Sequence, residues 1–306
     1  LSVEVRDGTF WRGLDLANIE WSMAGAEVRA RHIGVRWRLD CLPDSVVCLD
    51  TIRGDGLTVR IDPERLVPAE ADEEAEPGGK LDLPVAVRIA DLKLLDTRIA
   101  IAGGATVELE RLSSSAALRG SDLTVGTTLV AGLGIRLPAS SGGSEPSATS
   151  GSAPPAATAP SPSADGLGLP LSLDLDDLRL RDFEFSVADG MRVALGRFDT
   201  ALTLDDGALT VAATEAESLS VDLPPTGEAT PSAVQEPAAP EGDAGTARLD
   251  LPLAIRLRDF DLEDAQLDVA DGPSVALSSL TTGLAVDGDQ LELAATRLSG
   301  LRVALP

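Results

Sequence analysis

Residues 249–257 read LDLPLAIRL, a run in which every second residue is leucine or isoleucine. Asp, Pro, Ala and Arg stand between them. Successive side chains of a β-strand point to opposite faces, so this alternation is typical of a strand with one apolar face. Residues 167–175 show the same pattern, with leucine at every second position. Both stretches predict β-structure, and helical periodicity is almost absent from the chain.

The unit that contains this run occurs three times. A Leu-Pro pair opens each unit, and a second Leu-Pro pair closes it at one fixed distance. The opening pairs are residues 83–84, 169–170 and 251–252, and the closing pairs are 137–138, 223–224 and 305–306. Two aspartates also recur in register, as Asp91, Asp177 and Asp259 and as Asp96, Asp182 and Asp264. The chain is therefore an array of one supersecondary unit.

The repeats divide the chain into ordered and low-complexity segments. We expect an N-terminal β segment over 1–68, and β repeats over 81–138, 166–224 and 248–306. An acidic stretch over 69–80 and stretches rich in Pro, Ala and other small residues over 139–165 and 225–247 lie between them. These three stretches cannot bury enough apolar surface to fold, so we expect loops on a continuous sheet. Domain linkers are the alternative.

Turn signals within each unit predict about five or six strands, and the N-terminal segment should hold as many. Some 20 strands at about 4.8 Å spacing would give a sheet on the order of 100 Å long. The apolar alternation changes phase at the first recurring aspartate, Asp91 in the first repeat. This change predicts a β-bulge or a strand break there.

The charge of the chain excludes several functions. Twenty-five Lys and Arg stand against fifty Asp and Glu, which gives a net charge of −25. Nucleic-acid binding needs a basic face, and docking on anionic lipid headgroups by charge needs one too. No apolar run reaches the roughly 18 residues that a membrane-spanning helix requires.

The chain also lacks the residues of common active sites. Its single histidine, His32, lies on the polar side of a predicted strand, and no nucleophile, phosphate-loop or metalloprotease motif is present. The aspartate clusters at 174–177 and 205–206 lack the spacing of a calcium loop. We therefore expect no enzyme activity, no cofactor and no metal.

The two cysteines, Cys41 and Cys48, are separated by LPDSVV. They are too few for a structural zinc site. In a reducing compartment they would be small buried hydrophobes. In an oxidising one they would close a short loop, with Pro43 and Asp44 supplying the turn, and such a bridge contributes about 2–3 kcal/mol.

A long sheet with one apolar face must hide that face. It can close on itself as a stalk, bind a partner, or curl into a trough that holds apolar ligand. Aromatic residues make up only 3% of the chain, which favours a lining of Leu and Val over a tightly interdigitated core.

Three parts of the sequence resemble one family. Residues 7–22, DGTFWRGLDLANIEWS, and residues 26–62, which include CLPDSVVC, are similar to the periplasmic start of TamB-family proteins. The unit over 84–138 and its copies resemble the strand repeats that follow in that family. The TamB family comprises inner-membrane subunits of the translocation and assembly module and belongs to the AsmA-like superfamily.

The resemblance implies an all-β protein, an elongated repeat sheet curled into an open β-taco groove with an apolar interior. It implies a place in the periplasm of a gram-negative bacterium, anchored to the inner membrane in the full-length protein. The anchor and the C-terminal region that contacts the outer-membrane barrel TamA would lie outside this sequence. An oxidising periplasm would form the disulfide between Cys41 and Cys48.

The resemblance further implies a periplasm-spanning hydrophobic groove that carries phospholipid between the two membranes, with acyl chains as its ligand. The alternative is a scaffold for autotransporter and outer-membrane protein assembly with TamA. By the parity of the alternation, the expected lining residues are apolar positions in all three repeats. They are Val85, Val87, Ile89, Val107, Leu109, Leu123, Val125, Leu171, Leu173, Leu175, Phe183, Phe185, Val193, Leu195, Leu209, Val211, Leu253, Ile255, Leu257, Val275, Leu277, Leu291 and Leu293.

Overall fold

The computed structural model of the chain describes residues 2–9, 11–65, 83–139, 172–205, 208–225, 254–287 and 290–305. These residues form one mixed sheet of eighteen strands. Two short 3-10 helices, Leu42–Asp44 and Pro63–Arg65, accompany the sheet. The prediction of an elongated all-β sheet is confirmed.

The strands follow the repeats of the sequence. The N-terminal segment contributes β1 (Ser2–Thr9), β2 (Gly13–Met23), β3 (Ala26–Arg38), β4 (Val46–Asp55) and β5 (Thr58–Ile61). The first repeat contributes β6 (Leu83–Ile101), β7 (Thr106–Gly120), β8 (Asp122–Val125) and β9 (Thr128–Leu137). The second contributes β10 (Ser172–Val187), β11 (Arg192–Asp205), β12 (Ala208–Val211) and β13 (Thr214–Leu223). The third contributes β14 (Ala254–Val269), β15 (Ser274–Asp287), β16 (Gln290–Leu293), β17 (Arg297–Ser299) and β18 (Arg302–Ala304).

Each repeat is antiparallel inside and joins its neighbour in parallel. In the second repeat, β10 pairs with β11, and β11 pairs with both β12 and β13, which lie end to end. The strands β12 and β13 then pair in parallel with β14. A parallel neighbour requires a crossover connection. The loops predicted over 69–80, 139–165 and 225–247 lie outside the described residues, apart from Ala139 and Pro225.

The sheet is shorter than the turn signals suggest. Short strands share one position in the sheet, as β8 and β9 do beside β7. In the part of the chain that the structure describes, the eighteen strands therefore occupy thirteen positions. At about 4.8 Å between neighbours, the sheet is about 60 Å long rather than 100 Å.

A line of bulges crosses the sheet at the first recurring aspartate. The register shifts between Ile89 and Leu92 in β6, between Leu175 and Leu178 in β10, and between Leu257 and Phe260 in β14. The predicted β-bulge is confirmed. A bulge adds a residue to one strand and bends it, so the strands bend together along this line.

A second line crosses the sheet at the other recurring aspartate. Asp96, Asp182 and Asp264 have φ of 49°, 54° and 54°, in the left-handed region, and their side chains are exposed. Glycine occupies the corresponding place in β9, where Gly132 has a φ of 63°. This conformation turns the strand sharply, and Asp or Gly adopts it at low cost.

The left-handed residues point to the polar face. Arg31 donates hydrogen bonds to Asp55 (2.9 Å) and to Asp96 (2.8 Å), so the Asp96 side chain lies on the same face as these charged neighbours. Two consecutive residues of each strand, such as Arg181 and Asp182 in β10, therefore face the polar side of the sheet at this line. The apolar alternation changes phase at the same point, from Leu180 to Phe183, and the apolar side chains stay on one face.

The most buried large apolar side chain of the repeats lies between the two lines of irregularity. Between the two lines, Ala216 and Leu262 are 5% and 8% exposed, and they lie on that face. Among the described residues no large side chain is fully buried. The described residues thus form a single layer, in which the side chains of the apolar face are covered by their sheet neighbours.

Candidate functional site: the apolar face

The two bend lines divide the apolar face into three strips. In β10, the first wall is residues 172–175, the floor is residues 178–181, and the second wall is residues 183–187. The equivalent residues of the other strands continue each strip across the sheet. We call the three strips together the groove face.

The first wall carries an unbroken row of aliphatic side chains from β4 to β16. Each member is the direct cross-strand partner of the next, so all of them share one face. The row is Leu49, Ile89, Ala116, Val125, Leu175, Leu202, Val211, Leu257, Leu284 and Leu293. All are half-buried except Leu293, at the edge of the described sheet, which is 67% exposed.

The second wall carries a similar row from β5 to β18. It is Val59, Ile99, Val107, Ile135, Phe185, Val193, Val221, Leu267, Val275 and Val303. The row continues through Val28 to Trp21 in the N-terminal segment. The apolar surface is thus continuous along the sheet on both walls.

The floor combines an apolar row with a row of hydroxyl pairs. The apolar row is Leu94, Leu112, Val130, Leu180, Phe198, Ala216, Leu262, Leu280 and Leu298. The hydroxyl pairs are Ser114 with Thr128 (2.7 Å), Thr200 with Thr214 (2.8 Å) and Thr282 with Thr296 (2.9 Å).

The hydroxyl groups of each pair form their hydrogen bonds within the protein. In the second repeat, the Thr214 hydroxyl also donates to the carbonyl of Ala212 (3.1 Å), at the step between β12 and β13. Thr200 and Thr214 are 7% and 2% exposed. These threonines stabilise the junction between β12 and β13. Because their hydrogen bonds are made within the protein, they leave the floor largely apolar.

The expected lining residues divide between the two walls. The first wall holds Val85, Val87, Ile89, Leu123, Val125, Leu173, Leu175, Leu209, Val211, Leu257 and Leu293. The second wall holds Val107, Leu109, Phe183, Phe185, Val193, Leu195, Val275 and Leu277. Leu171 and Leu253 lie outside the described residues. Ile255 and Leu291 are placed by their backbone register alone, opposite Val286.

Sequence reasoning missed the floor. Its apolar row was not among the expected lining residues, although Leu94, Leu180 and Leu262 hold the same place in the three repeats. The available signal was the second recurring aspartate. Because the alternation changes phase there as well as at the bulge, the residues between the two aspartates form a strip of their own.

The opposite face carries charge networks. Arg181 donates to both oxygens of Asp199 (2.6 and 3.2 Å), and Arg197 donates to the same carboxylate (2.5 Å). Burial raises the pKa of Asp199, but the hydrogen bonds from the two arginines outweigh it, and the resulting pKa lies below the ordinary value. His32 lies on this face too, with Nε2 2.7 Å from Asp15 Oδ1.

A disulfide holds the rim of the first wall in the N-terminal segment. Cys41 and Cys48 are joined by an S–S bond of 2.06 Å, and Cys48 is 5% exposed. The loop between them contains the first 3-10 helix, and the carbonyl of Ser45 accepts a hydrogen bond from the Ala86 N–H (3.0 Å). The bridged loop thus anchors the start of β4 beside β6.

The described residues contain few other chemical features. They include no group of three or more His, Cys, Asp or Glu side chains that could hold a metal ion. None of their helices is long and apolar enough to cross a membrane.

A family model described as TamB, N-terminal domain, matches residues 1–165, 147–243 and 228–306. This chain belongs to the TamB family. The resemblance seen in the sequence is confirmed, and the matches together span the whole chain. No solved structure matches the chain.

Membership gives the chain a TamB-type role. TamB proteins are associated with the inner membrane, the periplasm and TamA, and the family is not known for enzymatic activity.

Proposed function

We propose that this chain is a segment of a periplasmic groove that carries phospholipid between the inner and outer membranes. The observation that carries the proposal is the groove face, a single-layer apolar surface whose rows run unbroken from the N-terminal segment to the third repeat. Most of its large side chains are half-buried or exposed, because no second layer packs over them within the described chain. An apolar ligand would cover this face.

The dimensions of the groove suit an acyl chain. Five residues of the second wall, 183–187, extend about 16 Å at roughly 3.3 Å per residue. The hydrocarbon of one leaflet is about 15 Å thick, half of a bilayer core of about 30 Å. An acyl chain laid against the wall would reach from the floor to the rim, and its headgroup would remain in water.

The repeats would give a lipid similar surroundings at each step. Val125, Val211 and Leu293 take one place on the first wall, and Ile135, Val221 and Val303 take one place on the second. Each buried CH₂ contributes about 0.8 kcal/mol, wherever it lies. Moving one repeat, three sheet positions or about 14 Å, would therefore change the free energy little.

A charge in the groove tests this proposal. Val211 lies in the first-wall row, and its neighbour Thr210 faces the opposite side, paired with Thr203. We expect Val211→Arg to fold, because a long side chain in an open groove can reach water. It should nevertheless block lipid passage, since an acyl chain cannot avoid a charge that must lose its water. Thr210→Arg is the matched control and should transport normally.

The measurements are lipid transfer in the full-length protein and the melting temperature of each variant. Leu293→Asp, with Glu292→Lys as its outward control, repeats the comparison in the third repeat. Mass spectrometry of lipid extracted from the purified protein should detect phospholipid. Normal transfer by folded Val211→Arg and Leu293→Asp proteins would contradict the conduit.

A scaffold for assembling outer-membrane β-proteins is the second candidate, and the first strand favours it. β1 pairs with β2 along one side, all of its residues are exposed, and Val5 is 62% exposed. Such an edge can add a client strand by β-augmentation. A photoreactive residue at Val5 should then crosslink to client polypeptide, whereas one at Val211 should crosslink to lipid if the groove is a conduit.

A further inference from the structure

Within the three repeats, the aromatic residues of the groove face are concentrated in one part of the sheet. Four phenylalanines, Phe183, Phe185, Phe198 and Phe260, lie on strands β10, β11 and β14. The first repeat contains no aromatic residue between residues 83 and 139, and β15 to β18 contain none either. A lipid moving from the first repeat to the third would meet aliphatic side chains first, then rings, and then aliphatic side chains again.

Three of these residues lie on the floor and the second wall of the second repeat. Phe183 and Phe185 stand on the second wall, opposite Leu195 and Val193. Phe198 stands on the floor, between Leu180 and Ala216. We call these three residues the phenylalanine cluster.

The rings point to the groove side of the sheet. Beside them on the same strand, Glu184 accepts a hydrogen bond from Arg192 (3.0 Å), and this pair marks the charged face. All three phenylalanines remain half-buried, with no second layer over them in the described chain. A ring that is not covered by protein takes up space in the groove.

The fold does not need rings at these positions. The third repeat has Ala265, Leu267 and Leu280 at the same three places, and its register is the same, with Ala265 opposite Leu277 as Phe183 is opposite Leu195. The first repeat has Thr97, Ile99 and Leu112 there. Smaller side chains build the same wall on both sides, so the sheet does not require rings at these positions.

We propose that the phenylalanine cluster is a constriction that selects lipids by the number of acyl chains they carry. This inference rests on the proposed lipid conduit. Aromatic rings are large and rigid, whereas an aliphatic wall yields by rotation about its side-chain bonds. The space that three rings occupy is unavailable to acyl chains at this point of the groove.

The constriction acts on chains that must pass side by side. Two-chain phospholipids can pass one after another. The four chains of a lipid with a single shared headgroup have to enter the narrowed part together. The cluster therefore favours two-chain phospholipids over four-chain lipids.

Substitutions taken from the third repeat test the constriction. In the variant Phe183→Ala, Phe185→Leu, Phe198→Leu, each new side chain already fits the same backbone in the third repeat. The purified full-length protein is incubated with vesicles that contain a two-chain and a four-chain phospholipid with matched acyl chains. Mass spectrometry then gives the ratio of the two bound lipids. We expect the native protein to prefer the two-chain lipid at least about fivefold, and the variant to lose that preference.

A transplant provides the reciprocal test. Ile99→Phe and Leu112→Phe place two rings in the first repeat, and in the triple variant they should restore the preference. Should the triple variant fail to fold by circular dichroism, the transplant is made in the native chain. A photoreactive residue at Val107 should then crosslink less four-chain lipid than it does without the two rings.

The outcomes separate the two proposals. If both lipids bind and their ratio is the same in native and triple-variant proteins, the constriction is wrong and the conduit stands. In the transplanted native chain, unchanged crosslinking at Val107 would likewise overturn the constriction. If neither lipid binds the native protein, the conduit fails and the constriction fails with it.

Discussion

At the scale of single residues, Thr97 stands out on the second wall. It directly follows the left-handed Asp96 and is 8% exposed. In the part of the chain that the structure describes, its hydroxyl is buried with no hydrogen-bond partner. A buried, unsatisfied hydroxyl costs about 1–3 kcal/mol, whereas an apolar group of the same shape does not carry that cost.

We therefore expect Thr97→Val to raise the free energy of unfolding by about 1 kcal/mol. Chemical denaturation of the purified protein measures it. Thr200→Val is the matched control, because Thr200 is equally buried but its hydroxyl is bonded to Thr214. The control should lose about 1 kcal/mol. Equal changes in both variants would show that the Thr97 hydroxyl is satisfied.

Asp199 predicts a pH dependence of stability. Its pKa in the folded protein is depressed, chiefly because the hydrogen bonds from Arg181 and Arg197 outweigh the effect of burial. A depressed carboxyl pKa contributes stability that is fully present above the unfolded value, about 3.9 for Asp, and is lost as pH falls through the folded value.

Asp199→Asn should therefore lower stability at neutral pH, by about 1 kcal/mol after screening by solvent, and the deficit should shrink below about pH 4. Denaturation midpoints at pH 7 and pH 3 measure the effect. Glu215→Gln is the control, since Glu215 is 69% exposed and 3.7 Å from Arg197. A deficit for Asp199→Asn that is constant with pH would contradict this assignment.

At the scale of elements, the opening strand of each repeat, β6, β10 or β14, carries two irregularities. The bulge at Asp177 and the left-handed residue Asp182 divide β10 into two walls and a floor. The bulge places an extra residue on one strand, while the left-handed residue turns the strand without one. Both lines keep apolar side chains on the inner face although the alternation changes phase.

The second bend depends on a residue that tolerates positive φ. Asp182 has a φ of 54°, a region that Asn and Asp enter several-fold more often than other residues with a side chain. Asp182→Asn should leave stability nearly unchanged, whereas Asp182→Val should cost about 1–3 kcal/mol, because a β-branched side chain clashes there. Denaturant titration distinguishes the two variants. A loss of the same size for both would mean that the carboxylate, rather than the conformation, is what matters.

At the scale of the whole molecule, the repeats present equivalent edges. β8 and β9 pair with β10 as β12 and β13 pair with β14, with Val125 against Leu175 and Val211 against Leu257. In such an array each unit contacts its neighbours alone, and stability is close to a sum over units and interfaces.

Removal of residues 140–225 should therefore leave a folded protein in which β14 pairs with β8 and β9. The sheet loses three positions, so the maximum dimension in small-angle scattering should fall by about 14 Å. Removal of residues 206–225 alone is the control. This smaller deletion removes β12 and β13, the strands that pair with β14, and it should therefore unfold the third repeat. An unfolded product of the larger deletion would show that the units are not interchangeable.

Three properties could be predicted without the structure: the strand class, the repeat and the family. Alternation such as that of residues 249–257 has a single structural period, and the CLPDSVVC segment with its context pointed to TamB. The sequence also predicted the position of the first bend. The change of phase at Asp91 can be read from one strand alone, without knowing which strand pairs with it.

The tertiary structure alone decided how the strands are arranged. Alternation specifies which side chains share a face but leaves open which edges meet, since every edge offers the same N–H and C=O groups. The end-to-end placement of β12 and β13, the parallel joints between repeats and the thirteen sheet positions all follow from that choice of partners. The floor also required the structure, because Asp182 is equally compatible with an extended strand until the neighbouring strands hold it in the left-handed region.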